Sequence, residues 1–202
     1  MNITVRKAKK EDMYEVADVH KKCFPEYFST KIGKTLLRKY YEEYLETFEE
    51  LFVVACDEDE NKIIGFANGC IVGRNIQNEY IKKNALRMSL RILILLICFD
   101  KTTWRRVMNK IKKPKPPEGR KSVKRGKGDL LSICLLDEYR GCGASVKLIK
   151  EFEEGLKKNN INEYVLTVFP YNKRARAFYE KCGFQIYYET VEDVKYIKKI
   201  EG

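Results

Sequence analysis

The sequence predicts an α+β fold in which helices flank a central β-sheet and one segment forms a basic helical insertion. Apolar residues alternate between strand spacing and helix spacing along most of the chain. Residues 74–127 break this pattern and carry the excess charge. The length of 202 residues and the 44% hydrophobic content suit a single domain over 1–202, with the insertion at 74–127.

The part before the insertion predicts a strand, two helices and then a hairpin of two strands. Pro25 ends the first helix, because proline interrupts helical hydrogen bonding. The polar residues at 57–61 suit the hairpin turn. The predicted ranges are 3–6, 11–24, 34–48, 51–56 and 63–72.

The insertion predicts two helices of different character. Residues 84–99 favour a very apolar helix and residues 102–112 a basic one. Three prolines in Pro114–Gly119 then exclude regular structure. Lys101–Lys127 holds twelve Lys/Arg and one acidic residue, whereas the rest of the chain balances to zero, so the net charge of +11 lies in this segment.

The part after the insertion alternates strands with helices and ends in two strands. Its first helix is amphipathic, with Leu148, Phe152 and Leu156 on the inner face. The predicted ranges are 129–136, 143–158, 164–169, 173–181, 184–191 and 194–200.

Cysteine usage and hydropathy argue against several classes of protein. The seven cysteines are odd in number, no CxxC pair occurs and His20 is the single histidine. This pattern disfavours a zinc site and a disulfide framework, and it favours a reducing, cytoplasmic location. The longest apolar run, Ile92–Phe99, is much shorter than the roughly 20 residues of a membrane-spanning helix. No targeting signal is recognisable in Met1–Lys10.

The first functional motif is a glycine-containing turn, Arg140–Ser145, between an apolar strand and an amphipathic helix. Its glycines allow the backbone to turn amide groups toward a ligand. The helix N-terminus adds unpaired N–H donors and a partial positive charge. The arrangement suits a pyrophosphate, although an ordinary turn at the start of a helix has the same local pattern.

The second motif lies about 30 residues further on, between Asn172 and Phe184. Asn172 suits a helix N-cap, and Gly183 suits the residue that follows a helix. Ala175 and Tyr179 are four residues apart and therefore share a helix face. Taken alone, the motif also fits a well-capped structural helix with Tyr179 in the core.

Together, the two motifs resemble the GNAT superfamily of N-acetyltransferases. The phosphate loop of that family follows Q/R-x-x-G-x-G/A, and its later signature follows N-x-x-A-x-x-F/L-Y-x-x-x-G-F. The corresponding loop residues are Arg140, Gly141, Cys142, Gly143, Ala144 and Ser145, and the signature residues are Asn172, Ala175, Phe178, Tyr179, Gly183 and Phe184.

The resemblance is closest over 129–192, looser over 1–73, and does not cover the insertion. Ser145 departs from the usual Gly or Ala, but its side chain is small and its N–H remains available. The resemblance implies a mixed, mostly antiparallel sheet in which one pair of neighbouring strands splays apart.

The resemblance also implies acetyl-CoA as the cofactor. Its pantetheine arm would lie along Ile133, Cys134 and Leu135 and pair with the backbone at the first and last of these. The pyrophosphate would bind the amides of the Arg140–Ser145 turn, and Asn172 would meet the pantetheine arm.

In such a site a neutral amine attacks the thioester directly, and Tyr179 corresponds to the proton donor for the leaving thiolate. The base stays open: Asp129 is one candidate, directly or through water, while a solvated strand-end carboxylate and catalysis by water alone are the alternatives. Thr167 stands where some members carry a glutamate. His20 fits packing better than catalysis, and Cys134 has no recognisable base partner for a covalent route.

The acceptor would enter over the first two helices, where Phe24–Thr30 is rich in aromatic residues. These suit a sugar ring, a peptide or an apolar amine, and also ordinary core packing. The insertion is compatible with contact to an anionic surface or substrate through 101–127, with a cover over the acceptor, with a homodimer contact and with a solvated loop.

The sequence therefore predicts an acetyl-CoA-dependent N-acetyltransferase that acts on a primary amine of a small molecule or amino sugar. The alternatives are a protein or peptide N-acetyltransferase, a non-catalytic acyl-CoA-binding module and a basic nucleic-acid-binding protein. Tyr179 and the complete phosphate loop favour catalysis over binding alone.

Overall fold

The computed structural model describes residues 2–73, 76–98, 100–112, 119–124 and 126–200, which form a seven-stranded mixed sheet with helices on both faces. Within these ranges the strands are β1 (Ile3–Lys7), β2 (Phe52–Asp57), β3 (Lys62–Ile71), β4 (Gly128–Leu135), β5 (Glu163–Val168), β6 (Gln185–Glu189) and β7 (Val194–Lys199). The helices are α1 (Met13–Cys23), α2 (Phe28–Lys31), α3 (Lys34–Thr47), α4 (Ile76–Lys83), α5 (Ala85–Ile97), α6 (Lys101–Lys112), α7 (Ala144–Lys158) and α8 (Lys173–Lys181).

The strands lie in the order β1-β2-β3-β4-β5-β7-β6. Neighbouring strands are antiparallel except β4 and β5, which are parallel. The predicted α+β fold with a mixed, mostly antiparallel sheet is therefore confirmed.

The β4 and β5 strands diverge soon after they meet. They pair at three positions, the last of which joins Leu130 to Leu166. Beyond this point β4 continues along β3 as far as Leu135. A register shift opposite Asn68 and Gly69 leaves Leu131 as an extra residue in β4, and such a bulge increases the local twist of a strand. The sheet therefore opens into a gap at its centre.

Helices cover both faces of the first half of the sheet. Helix α1 packs on one face, with α3 beside it, and α7 packs against β1–β4 from the other. Since both faces are covered, β2 is buried along its entire length. Aromatic rings fill both layers: Tyr41 meets Phe52 and Phe66 on one side, and Phe152 meets Tyr164 on the other, with ring centroids 5.3–5.6 Å apart.

The insertion forms α4, α5 and α6, which pack beside α2 and α3. The buried Tyr80 hydroxyl donates to the carbonyl of Leu36 at 2.6 Å, and Arg91 Nε donates to the carbonyl of Lys31 at 3.2 Å. The segment that leads from the insertion back to β4 is held beside the start of β7, where Arg120 pairs with Asp193.

Among the described residues, the helices are too short or too polar to span a membrane.

Most predicted elements are present, with ends within two residues of those predicted. Two helices were not predicted: α2 has four residues, and α4 has eight and directly precedes α5. The irregular structure predicted for Pro114–Gly119 lies outside the described residues except at Gly119.

Candidate active site

The turn between β4 and α7 is open, and its amides are available. Gly141 and Gly143 have left-handed φ angles of +86° and +83°, and a Cβ at either position would meet nothing within 4 Å. Among the described residues, none accepts a hydrogen bond from the backbone amides of Gly141 to Ser145. Helix α7 starts at Ala144, so its N-terminal partial charge points into the same space. This geometry suits an anion such as a pyrophosphate.

The other residues of the turn frame this space. Arg140 pairs with Asp137 and remains partly exposed. Cys142 is an exposed thiol, whereas Ala144 is fully buried and anchors the start of α7 in the core. Ser145 follows at the second position of the helix, where its amide is one of the unpaired donors.

Backbone amides of β4 also face the gap. The amide of Leu136 donates to the carbonyl of Ile64 across β3 at 2.8 Å. Because alternate residues of an antiparallel pair exchange hydrogen bonds, Cys134 also faces β3, while the amides of Ile133 and Leu135 face β5. The latter two are the positions where the family resemblance places pantetheine contacts.

The Cys134 side chain lies against α1 beside Cys23. Burial and the neighbouring thiol raise the pKa of Cys134, whereas the hydrogen bond between the two thiols lowers the pKa of Cys23. A thiol with a raised pKa is a poor nucleophile at neutral pH. This arrangement gives no support to a covalent route through Cys134.

Tyr179 is buried on α8 among three aromatic rings. The centroids of Phe178, Phe184 and Tyr196 lie 5.5–6.1 Å from its own. Burial raises the pKa of Tyr179, and the nearby Tyr27 phenol raises it further. Its hydroxyl therefore stays protonated at neutral pH, and it forms no hydrogen bond with the described residues.

The caps of α8 set the position of Tyr179. Asn172 Oδ1 accepts a hydrogen bond from the amide of Ala175 at 3.1 Å, which confirms the predicted N-cap. After the helix, Gly183 has a φ of +85°, and the amide of Phe184 donates to the carbonyl of Tyr179 at 3.1 Å. The second sequence motif therefore fixes both ends of the helix that carries the tyrosine.

Asp129 lies at the start of β4 in an ion pair with Lys195, at 3.3 Å. Burial raises the pKa of Asp129, although the charge of Lys195 opposes this rise. Asp129 is therefore an ion-paired, mostly buried group rather than a solvated strand-end carboxylate. Thr167 pairs with Lys195 in register and points to the same face of the sheet. Lys195 was not identified from the sequence, although its place between the apolar residues Val194 and Tyr196 is a usable signal.

His20 joins three helices and stays neutral. Its Nδ1 lies 2.5 Å from the hydroxyl of Tyr41 on α3, and its Nε2 lies 3.0 Å from Ser29 Oγ on α2. Burial lowers the pKa of His20 to about 4. The residue is buried in the helix interface, in agreement with the predicted packing role.

Aromatic residues border the open side of the gap. Tyr27 packs against Phe24 at 5.0 Å and against Phe169 at 6.2 Å between centroids, and Phe169 stacks on Tyr171 at 5.2 Å. Tyr27 also lies close enough to Tyr179 to influence its pKa. The segment between α1 and α2 thus meets the loop after β5 beside the buried tyrosine.

Two parallel strands that diverge, a turn whose amides have no acceptor among the described residues, and a protonated tyrosine form a candidate site for an acyl-CoA-dependent transferase. A family model described as the acetyltransferase (GNAT) family matches residues 13–184, which is most of the chain. The protein therefore belongs to the GNAT acetyltransferase family. Acetyl-CoA is the acyl donor of that family, and the open turn at Gly141 and Gly143 fits its pyrophosphate.

Solved structures support the same fold. The PaiA N-acetyltransferase of Thermoplasma acidophilum, solved with coenzyme A, is 19% identical with a TM-score of 0.60, covering 98% of this chain and 99% of its own. SsHAT is 16% identical with a TM-score of 0.68, and the match covers 100% of this chain and 100% of SsHAT. The NatC complex bound to Gag peptide and CoA is 17% identical with a TM-score of 0.59, and the match covers 100% of this chain and 100% of the NatC chain. A comparison with curated proteins found no match.

Proposed function

We propose that the protein acetylates a primary amine of a small molecule or amino sugar by direct attack on the thioester. The observation that carries this proposal is the position of the Tyr179 phenol, protonated and close to Tyr27 and Cys134, beside the gap between β4 and β5. A binding module has no need of a buried acid at that point. When bound, acetyl-CoA supplies the thioester.

The chain supplies the remaining functions. The amides at Ile133 and Leu135 orient the pantetheine arm, and an amide facing the gap can stabilise a developing oxyanion. The amine nitrogen forms a bond to the acetyl carbon as the carbon–sulfur bond breaks. Tyr179 gives its proton to the sulfur and regains one from solvent, while the amine releases a proton to Asp129 or to water.

Asp129 is proposed as the base because burial raises its pKa and so increases its affinity for a proton. The ion pair with Lys195 holds the carboxylate at the start of β4. Asp129→Asn should lower turnover while acetyl-CoA affinity is kept. If the variant keeps full turnover across the pH range, water alone serves as the base.

The test combines CoA titration calorimetry with an acetyl transfer assay over a panel of amines. Tyr179→Phe keeps the ring that packs against Phe184 and removes the proton. We expect turnover to fall by about 10²–10⁴-fold while the Kd for CoA is unchanged. Tyr14→Phe is the matched control, since Tyr14 lies exposed on α1. Full turnover in Tyr179→Phe removes the tyrosine from this role.

Protein or peptide acetylation is the second candidate. The NatC complex, which shares the fold, was solved with a Gag peptide and CoA. The amine panel should therefore include peptides with free N-termini. Faster transfer to peptides than to small amines would favour this candidate, and CoA binding without transfer to any amine would favour a binding module.

We further propose that the insertion contacts an anionic surface through 101–127. Next to this basic segment, α5 carries Leu86, Leu93 and Ile97 on one outward face, and Leu86 is 85% exposed. Trp104 on α6 is also partly exposed. Exposed apolar side chains beside basic ones are typical of helices that lie on an anionic lipid surface.

Liposome flotation tests this contact. We expect binding to vesicles that contain phosphatidylserine, weak binding to neutral vesicles, and loss of binding at high salt because the basic charges are then screened. The charge-reducing variant Lys121→Gln with Lys124→Gln should bind less. Absence of flotation at low salt would contradict the proposal, and sedimentation in the same buffer would show whether the face instead joins two copies.

A reducing compartment such as the cytoplasm is proposed for the protein. All seven cysteines lie among the described residues and are free thiols, two of them exposed. Free exposed thiols persist where glutathione keeps them reduced.

A further inference from the structure

A cavity of about 390 Å³ lies between the core of the protein and the insertion. One wall comes from α2 and α3 and the other from α4, α5 and α6. Its lining is mostly aromatic and aliphatic, and none of the lining residues is charged. Representative members of the lining are Tyr27, Ile32, Tyr40, Ile81, Met88 and Ile92.

The two walls are tied together, so the cavity is preformed. The Tyr80 hydroxyl donates to the carbonyl of Leu36 from a fully buried position, and Lys83 Nζ lies 2.8 Å from a carboxylate oxygen of Glu43. Arg91 adds a hydrogen bond to the α2 backbone. These contacts attach α4 and α5 to α2 and α3, and a preformed apolar cavity binds a ligand without the cost of ordering its walls.

The cavity borders the reaction site at Tyr27. This residue lines the cavity, and its ring packs against Phe169, directly after β5, with centroids 6.2 Å apart. Its phenol also raises the pKa of Tyr179. Ser29 lines the same cavity and is held by His20 Nε2 at 3.0 Å, which gives the apolar lining one fixed polar group. A group bound in the cavity is thus next to the gap where the acetyl group is transferred.

We infer that the cavity binds the apolar part of the acceptor, so that the preferred acceptor is a primary amine with an aromatic ring or an alkyl chain. This inference rests on the proposed acetyl transfer and narrows its acceptors from small-molecule amines and amino sugars to small-molecule amines with an apolar part. An amino sugar or a polyamine is disfavoured, because its hydroxyl or ammonium groups would lose water without gaining partners among uncharged, mostly apolar walls.

Linear alkylamines from ethylamine to octylamine, with phenylethylamine, form the test series. Titration calorimetry on the CoA-loaded protein measures affinity, and an acetyl transfer assay measures kcat/KM. Burial of one methylene is worth about 0.8 kcal/mol, so both quantities should rise by about fourfold per added methylene until the cavity is full. Glucosamine and spermidine should bind weakly.

A matched pair of variants on α5 identifies the cavity as the site. Ser89 lines the cavity at its exposed edge, so Ser89→Trp fills space without disturbing the core. Leu90 is 60% exposed and is not part of the lining, so Leu90→Trp serves as the control. We expect the dependence on chain length to disappear in Ser89→Trp and to persist in Leu90→Trp, with CoA affinity unchanged in both.

The outcomes separate this inference from the proposed function. Equal affinity for ethylamine and octylamine, or an unchanged chain-length dependence in Ser89→Trp, overturns the inference even if transfer to other amines is fast. Affinity that rises with chain length in the absence of transfer supports the cavity and counts against the proposed function alone.

Discussion

His20 shows how burial sets the charge of one side chain and links it to the stability of the fold. Its ring lies between Tyr41 and Ser29, and burial holds its pKa at about 4, well below the ordinary value of 6.5. The unfolded chain therefore binds a proton on this ring at a higher pH than the folded chain does. Protonation at moderately acidic pH thus favours unfolding.

The pH dependence of stability follows from this shift. Above pH 6.5 the free energy of unfolding should include the full contribution of neutral His20. It should fall by on the order of 3 kcal/mol in total as the pH decreases from about 6.5 to about 4. Urea denaturation at a series of pH values measures it. His20→Gln does not titrate, so its curve should be lower but flatter in this window. Parallel curves for the two proteins would contradict the assignment.

At the scale of single elements, the turn before α7 was predicted from its two glycines. Its glycines have the left-handed φ angles that such a turn needs, and its amides have no described acceptor. Ser145 offers a controlled test of anion binding there, because it lies in the first turn of the helix. A negative charge at this point stabilises the helix but repels a pyrophosphate.

We expect Ser145→Glu to weaken CoA binding by at least tenfold, which corresponds to about 1.4 kcal/mol. Ser145→Gln has nearly the same shape without the charge, so it should bind CoA close to the level of the natural protein. Calorimetry at low and high salt measures both, and the difference between them should shrink at high salt. Equal affinities at low salt would place the pyrophosphate elsewhere.

The elements that sequence reasoning missed share a physical cause. Helix α2 is too short to show a helical period of apolar residues. Helix α4 buries Ile76 and Tyr80, which are four residues apart, and a single such pair does not distinguish a helix from other structure. The long helices were predicted because each buries a continuous apolar face. The extra residue at Leu131 depends on pairing with β3, which no local pattern reveals.

The candidate site was predicted unevenly for the same reason. Contiguous motifs located the turn and Tyr179, since their chemistry depends on local backbone geometry. Lys195 and the cavity depend on segments far apart in the chain. Lys195 on β7 meets Asp129 on β4 across the one intervening strand, β5, and the cavity needs α5 packed beside α2. Tertiary contacts of this kind have no counterpart in spacing or composition.

At the scale of the whole molecule, ligand occupancy and stability are linked by mass action. A ligand that binds the folded protein alone adds about 2.7 kcal/mol to the free energy of unfolding at 100 times its Kd. We expect CoA to raise the melting temperature in this concentration-dependent way, as measured by calorimetry. Desulfo-CoA, which keeps the pyrophosphate and pantetheine, should do the same, whereas adenosine should not. A melting temperature that is independent of CoA would contradict this account of the site.

In the described structure three residue pairs join β4 to β5, so the sheet consists of two parts, β1–β4 and β5–β7, with little backbone pairing between them. A polar strand-like molecule seated between them completes the backbone pairing that the chain itself leaves open. The lifetime of the protein against proteases should then follow the supply of its acyl donor. A shortage of that donor should then also reduce the amount of intact enzyme.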